Sequence, residues 1–69
     1  MNNISLKELG AQYLQEADKI RERIALLKEQ LNNLPESERH DLLIRINSLY
    51  SSAREVKDIG IYLSNYYGE

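Results

Sequence analysis

The chain has 69 residues and a formal net charge of −2, enough for one small domain and too little charge for a strong whole-molecule field. It contains no cysteine, which excludes a disulfide framework and a thiolate metal site. A core of this size is marginal without a staple or association that supplies additional burial.

The N-terminal segment MNNISLKELG has no apolar run of signal-peptide length, and no stretch approaches a membrane span. A cytoplasmic location and no membrane contact are the expectations. Ser5 and Glu8 in SLKE have the spacing of a capping box, which satisfies orphan amides at a helix start. From there the sequence is rich in helix formers up to Pro35. Leu6, Gly10, Tyr13, Ala17, Ile20, Ile24, Leu27, Leu31 and Leu34 recur at alternating steps of four and three, a heptad seam.

NNLPESERH is the turn signal in the middle of the chain. Pro35 suits the first turn of a second helix, where a missing amide is harmless. A second seam follows: Leu42, Ile46, Leu49, Ala53, Val56, Gly60, Leu63 and Tyr67. The pattern predicts a single all-α domain over residues 1–69, with helix 1 about 5–33, a turn about 34–37 and helix 2 about 38–66. The short connection makes the pair an antiparallel two-helix hairpin with a coiled-coil-like seam.

A turn centred near Glu36 and Ser37 would pair Gly10 with Leu63, Tyr13 with Gly60, Ala17 with Val56 and Ile20 with Ala53. In this register each small residue at the open end receives a large one, which explains two glycines inside helices. The seam alone buries little for its length. Dimerisation into a four-helix bundle is the expected remedy.

The flanks of the seam differ. One carries Lys7, Leu14, Arg21 and Lys28 from the first helix, then Leu43, Tyr50 and Lys57 from the second, with Ile61 close by. No acid falls among these positions. The other carries Leu9, Ile59, Tyr66 and, further round, Tyr62. Glu8, Glu22, Glu29 and Asp58 point outward. The candidate partner-binding face, and the one expected to form the dimer interface, is Leu14, Arg21, Leu43, Tyr50 and Ile61, which runs the length of the hairpin. The second candidate face is Leu9, Ile59, Tyr62 and Tyr66. Arg21 is expected to place its guanidinium beside the Tyr50 ring.

Chemistry is sought and not found. Glu36 and His40 are four apart in ESERHD, but one histidine with carboxylates at a helix start is usually a solvated cap, and zinc wants more nitrogen or sulfur ligands. There is no glycine-rich phosphate loop and no recognisable nucleophile motif. No catalytic residue, metal site or cofactor is assigned, and the protein is not expected to be an enzyme. No motif supports a family assignment. The expected function is a non-enzymatic protein–protein interaction module, a small homodimeric adaptor or regulatory subunit. An acidic helical protein is a second partner class for the basic flank. The alternative is a nucleic-acid-associated accessory protein that uses Lys7, Arg21, Lys28 and Lys57; the sparse basic pattern makes this the weaker reading.

Overall fold

Two helices pack side by side in the computed structural model, which describes residues 5–66. Helix α1 spans Leu6–Leu31 and helix α2 spans Glu36–Tyr66. No strand occurs among the described residues. Tyr67, expected as the last seam residue, lies outside them.

The start of α1 forms as its sequence dictates. The Ser5 hydroxyl accepts from the Glu8 amide at 3.0 Å, and the Glu8 carboxylate accepts from the Ser5 amide at 3.0 Å. Two orphan donors are thus satisfied and an acid stands at the positive end of the helix. The other end tightens. Asn32, Asn33 and Leu34 donate to carbonyls three residues back, at 3.2, 2.9 and 3.3 Å. Such bonds use up carbonyls that the last helical turn leaves unpaired. Leu34 precedes proline and is pushed out of helical geometry, so this seam candidate lies in the connection, half-buried. Its carbonyl accepts from Arg39 Nε at 3.0 Å, which ties the connection to α2.

Pro35 sits one residue outside α2, not within its first turn as its sequence position suggests. Its carbonyl accepts from the Glu38 amide at 2.9 Å. The turn therefore occupies residues 32–35, and α2 begins earlier than the sequence pattern predicts.

That shift changes how the helices face one another. Gly10 lies against Gly60, not Leu63. A Cβ on Gly10 would fall 2.9 Å from the Gly60 carbonyl oxygen and 3.0 Å from the Ser64 nitrogen. A Cβ on Gly60 would fall 2.9 Å from the Gly10 carbonyl oxygen and 2.9 Å from Leu14 side-chain carbons. The expected insertion of Tyr13 over Gly60 is replaced by Leu14. The glycines are not pockets for large side chains. They let two backbones touch.

Both helices bury every seventh residue: Gly10, Ala17 and Ile24 in α1, Ile46, Ala53 and Gly60 in α2. With Gly10 against Gly60, an antiparallel course brings Ala17 level with Ala53 and Ile24 level with Ile46. Like therefore meets like in size, glycine, alanine and isoleucine in order, and the expected pairing of small with large does not hold. The separation of the helices must grow toward the turn, because interaxial distance follows the bulk at the contact.

Among the described residues the buried hydrophobic ones are Ala17, Ile24, Ile46 and Ala53. Among the described residues no large side chain is completely buried. The hairpin measures 50 × 20 × 17 Å and exposes 5695 Å². A compact protein of this mass exposes about 4,500 Å². No helix is long and apolar enough to cross a membrane among the described residues.

Candidate functional site

A thin core leaves apolar side chains outside. Leu26, Leu43, Ile44, Tyr50, Ile59, Ile61, Tyr62 and Tyr66 are all exposed. Their placement decides what the surface can bind.

On the first face, Leu43 and Tyr50 of α2 and Arg21 of α1 are exposed, and Tyr50 shares two hollows with Arg21. Leu14 is only half-buried, yet it is committed to the seam, since its Cγ and Cδ2 occupy the space a Gly60 side chain would need. Tyr50 stands between two hollows. One, about 510 Å³, is lined by Arg21, Tyr50, Ser51, Ala53, Arg54, Lys57 and Asp58. The other, about 240 Å³, is lined by Arg21, Ile24, Ala25, Lys28 and Tyr50. Arg21 thus neighbours Tyr50, but the cation over the ring is Lys28, whose Nζ lies 5.0 Å from the ring centroid. The antiparallel register explains this. Lys28 is one helical step of seven beyond Arg21 on the same stripe, and its long stem reaches back along the helix to the ring.

The second face is built at the open end. Tyr62 and Tyr66 stack with centroids 5.8 Å apart and planes inclined by 27°. Their i, i+4 spacing puts both rings on one side of α2. With Asp58, Ile61 and Asn65 they line a hollow of about 540 Å³. Leu9 lines a separate hollow of about 270 Å³ on α1, with Gln12, Tyr13 and Glu16, that shares no residue with the tyrosine hollow. Ile59 is exposed nearby on α2. Ile61, grouped in the sequence with Tyr50, therefore shares a hollow with Tyr62 and Tyr66, while Leu43 lines neither of the hollows beside Tyr50.

No protein-family model matches the chain, and neither a curated protein nor a solved structure matches it. The site must therefore be read from its own geometry.

Three surface residues escape the sequence pattern. Arg54 joins Arg21 and Lys57 around the larger basic hollow. Leu26 and Ile44 are 61% and 55% exposed, away from either candidate face. Their signal was present in the consecutive apolar residues of ALLKEQL and DLLIRI. A core stripe is only about 100° wide, so one member of each run must leave it. Glu36 and His40 are both exposed near the start of α2. Among the described residues no three His, Cys, Asp or Glu side chains converge as metal ligands would.

Proposed function

We propose that this protein is a non-enzymatic protein–protein interaction module, a small homodimeric adaptor or regulatory subunit, in which two hairpins associate as a four-helix bundle. The supporting observation is the imbalance between core and surface. Among the described residues, two alanines and two isoleucines make up the buried hydrophobic set, while eight large apolar residues are exposed. The accessible surface exceeds that of a compact protein by about 1,200 Å², and a standard interface hides about 800 Å² per partner. Pairing would bring the molecule near the ordinary range.

Self-association is assigned to the open-end face of Leu9, Ile59, Tyr62 and Tyr66, with Ile61 joined to it. Tyrosines offer broad apolar rings with polar tips and suit such contacts. The first face is less suited to a second copy because its cations would meet one another. The cytoplasm is the proposed setting.

Sedimentation equilibrium at micromolar concentration tests the reading. The expected result is twice the 8.1 kDa chain mass. Tyr62→Glu should return the protein to the monomer, whereas Tyr50→Glu should not. A wild-type monomer throughout would overturn self-association. Dissociation by Tyr50→Glu alone would move it to the first face.

A second reading, a nucleic-acid-associated accessory protein, is favoured by one observation: Arg21, Arg54 and Lys57 gather around one aromatic ring. Binding of that kind weakens steeply as salt rises. Retention of an oligonucleotide with such a slope would support it; no retention at low salt would dismiss it.

A further inference from the structure

The face around Tyr50 combines two features that no single simple surface contact satisfies. Leu43 and Tyr50 are exposed apolar side chains, with half-buried Leu14 further along the groove between the helices. Around Tyr50 stand Arg21, Arg54 and Lys57 at one hollow and Lys28 over the ring, with Asp58 the one carboxylate that lines that hollow. Lys7 extends the basic stripe along α1.

A second copy is a poor occupant. A two-fold contact sets a patch against itself, so each cation would meet its own kind at the centre of the interface. A phosphate backbone would pair the cations but would set hydrated oxygens against Leu43 and the Tyr50 ring. The occupant with both properties has an apolar stripe bordered by carboxylates.

We propose that this face docks an acidic amphipathic helix of a different protein. Its apolar side would lie in the groove between α1 and α2 against Leu43, Tyr50 and the edge of Leu14. Its flanking carboxylates would reach Arg21, Arg54 and Lys57. Helix-in-groove docking of this type takes affinity from apolar anchors and orientation from bordering charge. The inference rests on the interaction-module reading, and its hollow shares Asp58 with the one beside Tyr62 and Tyr66, so the two occupants would be neighbours on one molecule.

The test is a fluorescence anisotropy titration of the full chain. The probe is a designed amphipathic peptide with leucines at helical spacing flanked by glutamates. Its twin carries lysine at each glutamate, and a single-stranded oligonucleotide is the third probe. The acidic peptide should bind saturably, and the lysine twin at least about tenfold more weakly. Arg21→Glu should weaken the acidic peptide by about tenfold, and Tyr62→Glu should leave it unchanged. Lys57→Gln is the milder second variant, expected to weaken binding severalfold even if Arg21→Glu perturbs the fold. Equal binding of the two peptides, absence of binding, or preference for the oligonucleotide would overturn the proposal. So would dissociation of the dimer by the acidic peptide, since the two sites would then coincide. Sedimentation keeps the two claims separate: a dimer that ignores the peptide refutes only this inference, and a monomer that binds it refutes only self-association.

Discussion

The two ends of the hairpin hold together by different means. At the turn, Ile24 and Ile46 are buried at one level and a four-residue connection ties the helices covalently. At the open end, Gly10 and Gly60 bring backbone against backbone, and the bulky residues, Tyr62 and Tyr66, face outward. The turn end buries two isoleucines in its own core, while Leu26, Leu43 and Ile44 stay exposed there. The open end keeps its core small and leaves its bulk available to a partner. A short chain can thus divide one modest stock of large side chains between folding and binding.

The largest effect should come from the turn end. Ile46→Ala removes one of two large aliphatics from the buried set, and a buried Ile→Ala change costs about 2–5 kcal/mol. Denaturant melts should show partial or complete loss of helix at room temperature. A change under about 1 kcal/mol would mean that the isoleucine layer is not the anchor.

Next comes the glycine contact. Gly10→Ala places its Cβ 2.9 Å from a backbone oxygen and 3.0 Å from a backbone nitrogen, neither of which can rotate away. Overpacking should cost about 1–3 kcal/mol, more than the helix propensity gain of about 1 kcal/mol. Thermal melting decides: a raised midpoint would show that the two backbones are not in contact.

A smaller loss is expected at the start of α1. Ser5→Ala deletes the hydroxyl that accepts the Glu8 amide and should cost about 1 kcal/mol. Amide hydrogen exchange would place the loss in the first turn. Even protection throughout α1 in the variant would contradict the capping role.

The smallest effect belongs to the surface. Lys28→Gln removes the cation over Tyr50 and should cost about 0.5–1 kcal/mol. A double-mutant cycle with Tyr50→Leu isolates the coupling, and a coupling of zero at low salt would contradict the contact.

The sequence revealed the two helices because periodicity, a capping box and a proline each report on local geometry. Register was harder. The size pattern of Gly10, Ala17, Ala53 and Gly60 allows small against large or small against small, and the choice depends on where the turn falls. The bonds that set the turn run from Asn33 and Leu34 to carbonyls three residues back, a tightening that asparagine content alone does not specify. The Lys28 contact depended in turn on that register. Ile61 joins a hollow with the tyrosines as well as its own flank, because a heptad flank is a stripe along a helix whereas a hollow joins residues around it. Arg54 was missed because it lies outside the flank positions considered. The runs containing Leu26 and Ile44 could have been read, since adjacent apolar residues on a helix cannot all face inward.

The central claim is that this hairpin is too thinly cored to stand apart from a partner, so that its folding and its assembly are linked. The most direct measurement is the thermal unfolding midpoint followed by circular dichroism over about a hundredfold range of protein concentration. Linked association predicts a midpoint that rises steadily with concentration. A sharp, fully helical transition whose midpoint is the same at every concentration would contradict it.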